Sequence, residues 1–130
     1  MANTLVQTTL CGAGSERNIV RHIRIISDGT QEAATVIFNN ASFVNNVSKG
    51  CVERVRAYGS QCVLRLEWDQ TTKSPIISIN PAGGDSEADL RDFGGVKNPN
   101  GTGATGNIVL TTTGLAAGSE VSIFLYVRQE

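Results

Sequence analysis

The sequence predicts an all-β protein, a single-domain antiparallel β-sandwich of jelly-roll type, with about eight short strands and a long Gly-rich loop. Three observations carry this expectation. Apolar and polar residues alternate with a period of two around residues 18–27, 62–68 and 121–127. Gly, Asn and Asp punctuate the chain between short apolar runs. Almost nothing keeps helical spacing. A chain of 130 residues buries one core, so residues 1–130 form one domain, with 1–14 as an extended N-terminal arm and 81–106 as the long loop.

Leu5 to Leu10 is the first extended segment, ended by Gly12-Ala-Gly14-Ser15. Asn18 to Ser27 is the second, with Ile19, Ile23 and Ile25 on one face, His22 and Arg24 on the other, and Asp28-Gly29 as its turn. Ala34 to Phe38 is the third. Cys51 to Tyr58 and Cys62 to Trp68 flank Gly59-Ser60-Gln61 and read as the clearest hairpin. In its second arm, Cys62, Leu64, Leu66 and Trp68 face away from Val63, Arg65 and Glu67. Ile76 to Ile79 follows Pro75, then comes Ile108 to Thr113, and Val121 to Val127 closes the chain with Val121, Ile123, Leu125 and Val127 inward. Ala41 to Lys49 reads equally as a short helical turn, through Phe43, Val44 and Val47, or as a loop. Pro81 to Gly106 has four acids and only Leu90, Phe93 and Val96 as sizeable apolar groups; so long a loop in a small domain suggests a contact surface.

Composition removes several classes of function. The 11 basic and 12 acidic residues leave no excess of positive charge to neutralise phosphates, so a nucleic-acid partner is not expected. The arginines at 17, 21, 24, 54, 56 and 65 read as solvated strand faces. No apolar run approaches the roughly 20 residues of a bilayer span, and no membrane partner is expected. The start Met-Ala-Asn-Thr lacks the features of a signal peptide, which implies synthesis in a cytoplasm. Cys11, Cys51 and Cys62 give an odd count without metal-ligand spacing and read as reduced thiols, although Cys51 and Cys62 would face each other across the expected hairpin. The single histidine, His22, has no second His to complete a metal set and no nucleophile beside it.

Several motifs match in letters but not in context. Gly101-Thr-Gly103-Ala-Thr-Gly106 fits the dinucleotide fingerprint, yet a β-branched strand follows where a helix is required and the distal acid is missing; a flexible loop is expected. Asp85, Glu87, Asp89 and Asp92 resemble part of a calcium loop, but Leu90 stands where that loop needs Gly and Val96 where it needs a bidentate Glu. Glu67 and Asp69 beside Trp68 have the composition of a glycosidase acid pair, and also that of a strand end with two exposed acids. The sequons at Asn40, Asn46 and Asn100 carry meaning only in a eukaryotic secretory pathway. No catalytic, cofactor or metal residues are assigned, and an enzyme is not expected.

Leu66-Glu67-Trp68-Asp69 before a Thr-Thr turn, then Asp92-Phe93-Gly94-Gly95-Val96-Lys97-Asn98, Ala104-Thr105-Gly106-Asn107-Ile108 and Thr112-Thr113-Gly114-Leu115, are similar in order and spacing to small all-β virion proteins of tailed bacteriophages. The chain resembles capsid decoration, or cement, proteins in particular. That resemblance implies a β-sandwich on the outer surface of an assembled head, made in the host cytoplasm, with the major capsid protein and further copies of itself, as dimer or trimer, for partners. Such a protein bridges neighbouring capsomers through many weak contacts. The expected contact residues are Leu5 and Val6, in an arm that adds a strand to a neighbouring sheet edge, and Asp92, Phe93, Gly94, Val96 and Lys97 in the long loop. A head-tail connector or tail-associated structural protein, and a host-surface glycan-binding module, remain as alternatives.

Overall fold

The alternation seen in the sequence produces ten strands and no α-helix among the described residues. The computed structural model describes residues 3–11, 18–39, 50–82, 84–91, 94–97, 99, 101–103 and 105–129. The strands are β1 (Thr4–Cys11), β2 (Asn18–Ile26), β3 (Thr35–Phe38), β4 (Gly50–Gly59), β5 (Val63–Trp68), β6 (Ser74–Ile79), β7 (Asp85–Asp89), β8 (Val96–Lys97), β9 (Ile108–Thr113) and β10 (Glu120–Gln129). One sheet, A, has the order β1-β2-β10-β4-β7, with β8 also on β4; the other, B, has the order β3-β9-β5-β6.

The pairings are nested. β5 pairs with β6, β4 with β7, β3 with β9 and β2 with β10, all antiparallel. The chain is therefore one long antiparallel ribbon with its tip at the β5–β6 turn, rolled so that β10 also meets β4 and β9 also meets β5. These eight strands make a jelly roll; β1 and β8 are additions at the margins of sheet A. Rolling the ribbon puts the inward residues of both sheets into one core. Ile19, Ile23, Ile25, Val52, Val55, Ala57, Val121, Ile123, Leu125 and Val127 from sheet A meet Ile37, Phe38, Leu64, Leu66, Trp68, Ile108 and Leu110 from sheet B. Each large aliphatic side chain removed from water there contributes about 1.5–3 kcal/mol before entropy is counted. Trp68 is fully buried, and a Cβ on Gly50 would stand 3.0 Å from its ring.

Three expectations are corrected. β4 and β5 do not form a hairpin; they lie in different sheets and face each other across the core. A period of two says that one face is buried, not which strand lies alongside. The residues between them cross from sheet to sheet, a distance of about 10 Å, with Gly59 N–H donating to Gly84 O and Ser60 N–H to Glu120 O. The long loop 81–106 contains β7, which pairs residue by residue with β4, and the short β8. β7 escaped notice because three of its five residues are acids, poor strand formers that suit an exposed edge. Removing this segment would bare the side of β4. The N-terminal arm is likewise no free arm over residues 4–11, since β1 pairs with its own β2. The segment Ala41 to Lys49 lies outside the described residues.

Gly59 tests the corner. Its φ is +127°, and a Cβ there would lie 2.2 Å from the carbonyl oxygen of Glu120. Gly114 also has a positive φ, +78°, but open space around it. Gly59→Ala is expected to lower unfolding free energy by at least ~2 kcal/mol, and Gly114→Ala by about 1 kcal/mol. Urea denaturation of the two variants beside the wild type checks the ranking; equal losses would contradict the tight crossing.

Candidate functional site

The alternation that buries one side of β10 presents Ser122, Phe124, Tyr126 and Arg128 on the other. The register sets Phe124 between His22 of β2 and Arg56 of β4. The His22 ring stacks on Phe124 with centroids 4.6 Å apart and planes at 12°. Tyr58 meets Phe124 edge-on at 5.9 Å. Arg54 lies 5.4 Å over the ring of Tyr126, and Arg56 lies 5.2 Å over that of Tyr58. Such guanidinium–ring contacts hold both partners without burying either. Half-buried aromatic and arginine side chains thus tile the outer face of sheet A.

Charges on this face are balanced by neighbouring strands. Glu87 of β7 bonds to Arg54 and lies 3.3 Å from Arg56 Nε. The hydrogen bond from Arg54, followed by its charge and that of Arg56, holds the Glu87 carboxyl below its usual range, and the same bond raises Arg54. Arg24 pairs with Glu120 at 2.6 Å and Arg128 with Glu53 at 3.3 Å. A surface of this kind can stack, accept hydrogen bonds at two phenols and match a mixed-charge partner.

The expected contact residues are not brought together. β1, with Leu5 half-buried against the core and Val6 48% exposed, lies at one margin of sheet A. Val96 and Lys97 form β8 on the other side of the sheet, opposite Val52 and Cys51. Gly94 N–H donates to Arg91 O in the turn before β8, and Gly94 O accepts a bond from Cys51 Sγ at 3.1 Å. Gly95 is required there, because a Cβ would come 2.5 Å from that sulfur. Asp92 and Phe93 lie outside the described residues. Phe124, Tyr126, Tyr58, Arg54 and Arg56 were not anticipated as a group. The available signal was large rings at the solvent positions of β10, between residues correctly assigned to the core.

The discounted motifs have structural roles. Thr71 N–H donates to Thr102 O, Gly101 N–H to Gln70 Oε1 and Thr105 N–H to Asp69 O, so the Gly-rich turn is clasped to the β5–β6 tip. Asp69 Oδ1 accepts from Lys73 Nζ and Oδ2 from Thr105 Oγ1, each at 3.0 Å. Asp85, Glu87 and Asp89 extend along an edge strand and do not circle a turn. Arg91 beside Asp89 holds that carboxyl far below the ordinary range. Cys51 and Cys62 are both buried, one in β4 and one leading into β5, and these strands lie in different sheets, so no hairpin sets the two side by side. Burial pushes the Cys62 thiol up, away from the thiolate a nucleophile needs.

No protein-family model and no curated protein matches the chain. Among solved structures, a chain described as "CBM4 structure and function" is similar at 7% identity and a TM-score of 0.32, over 87% of this chain and 84% of that one. A second, described as "Crystal Structure of FeII HppE", is similar at 8% identity and a TM-score of 0.28, over 85% of this chain and 42% of that one. Neither adds to what the strand pairing establishes.

The Asp69 clasp sets an acid dependence. Its carboxyl is depressed, first by the hydrogen bond from Lys73 and then by that from Thr105, against the opposing effect of burial. A depressed folded-state value means that the stabilisation is complete above the unfolded-state value of about 3.9 and is lost as pH falls through the folded one. Urea midpoints measured at pH 6 and pH 3 should therefore differ less in Asp69→Asn than in the wild type; an identical drop would remove Asp69 from the acid response.

Proposed function

We propose that this chain is a tailed-bacteriophage decoration protein that binds the outside of an assembled head and stabilises it by bridging capsomers. The observation that supports this reading is the outer face of sheet A, where Tyr58, Phe124, Tyr126, Arg54 and Arg56 lie side by side. Tyr and Arg are the residue types that carry most binding energy in protein interfaces. The ion pairs to Glu87 balance its charge, which suits a protein surface better than a phosphate backbone. Jelly rolls occur in viral capsid and lectin domains, although the fold alone assigns no function. Many identical contacts of modest strength, repeated over a shell, would hold capsomers together against internal pressure through avidity.

A second reading, binding of host-surface glycans, draws on the same face. The chain is poor in aromatic residues at 5%, yet both tyrosines, one phenylalanine and the only histidine gather here. Sugar rings would stack on such a surface.

Binding of purified protein to heads stripped of it separates the two readings. Phe124→Ala and Tyr126→Ala should each weaken binding to bare heads about tenfold or more while the fold is kept, as expected for central interface anchors. Unchanged occupancy by both variants would count against this face as the docking surface. Binding to immobilised bacterial polysaccharide, lost in Phe124→Ala, together with no binding to heads, would favour the glycan reading.

A further inference from the structure

A strand at the margin of a sheet is a template for another strand, and folded proteins protect such margins with charge, proline, shortness or a cover. Sheet B and the β7 side of sheet A follow that rule. β7 carries Asp85, Glu87 and Asp89. β6 has Pro75 as its second residue, which offers no N–H. β3 is four residues long, and its Val36 and Ile37 carbonyls accept bonds from Gln7 Nε2 at 3.2 Å and Arg21 Nε at 3.3 Å.

Among the described residues β1 has one device of this kind, a bulge between Thr9 and Cys11 near its end, and none over Thr4 to Thr9. Its eight residues, Thr-Leu-Val-Gln-Thr-Thr-Leu-Cys, contain no charge, proline or glycine and span about 27 Å. It pairs with β2 on one side, and among the described residues no strand pairs with the other. Val6 and Leu10 are 48% and 53% exposed, and Ile26, diagonal to Val6 across the β1–β2 ladder, is 38% exposed. Exposed apolar side chains therefore gather beside the open margin.

We propose that β1 pairs antiparallel with β1 of a second copy of this chain about a two-fold axis, joining two A sheets into one continuous sheet. A two-fold interface uses the same patch on both copies, so a charge near its axis would face its own like. β1 carries none and meets itself without repulsion. An axis at Thr8 sets Thr8 against Thr8, a favourable kind of cross-strand neighbour, and brings Val6 of each copy alongside the bulge at Leu10 of the other. Nothing of this self-matching is needed to receive a foreign strand. The pairing concerns β1 alone and stands whether or not the face of sheet A binds a head.

Sedimentation velocity over a range of concentrations, with the isolated protein, tests the pairing. The wild type should pass from monomer to dimer in the micromolar range. Thr8→Glu places two carboxylates face to face at the axis, and Val6→Glu buries one in the joint while giving it Arg24 as a neighbour within its own chain. Each should weaken dimerisation at least about tenfold with unchanged circular dichroism. A wild type that stays monomeric to about 200 µM, or a folded variant that dimerises as tightly as the wild type, would overturn the proposal. Should both variants unfold, amide exchange in wild-type β1 decides: protection that rises with protein concentration supports the pairing, and protection independent of concentration refutes it.

Discussion

Nested antiparallel pairing between the first half of the ribbon and the second is the constraint on which the rest of the structure depends. It sets Ile19 against Val127 and Leu64 against Ile79 in one continuous scheme. Partners so far apart in sequence cost closure entropy, which is offset only when the inner faces of both sheets are buried together. Corners such as Gly59 and the Asp69 clasp at the tip keep the ribbon in register as it rolls. The fully buried ring of Trp68, against which Gly50 leaves space, shows how little slack the core between the sheets has.

The outer face of sheet A follows from the same constraint. β10 lies between β2 and β4, so Val121, Ile123, Leu125 and Val127 fix its height and twist from below. Phe124 and Tyr126 are then presented on a strand whose every other residue is anchored, a rigid support for a binding surface. Arg54 and Arg56 are held over the rings from β4, and Glu87 reaches them from β7. Each element of the face thus depends on a strand pairing made elsewhere in the roll.

Much of the fold was legible because strand periodicity is a local property. The inward sets of β2, β5 and β10 were evident from alternation alone, and the bounds of β9 from its β-branched run. Strand partnership is not local. A three-residue link between β4 and β5 looks the same whether it closes a hairpin or crosses a sandwich, and only the positions of β9, β10 and β7 decide. β7 was hidden because its pairing with β4, and the hold of Arg54 and Arg56 on Glu87, come from a strand distant in sequence and leave no mark in β7's own residues. The candidate face was hidden for a related reason: His22, Tyr58 and Phe124 lie on three strands and become neighbours only through register. Gly95 and Gly103 looked like parts of a loose loop, yet each is needed where the chain passes close to Cys51 or Thr71.

The most direct measurement is the copy number of this chain per purified phage particle, by quantitative mass spectrometry against the major capsid protein. A protein that coats the head through sheet A should be present at parity with the capsid protein or at a simple fraction of it. A ratio matching one small ring would place it at the portal or tail, and absence from the particle would contradict a role in the virion.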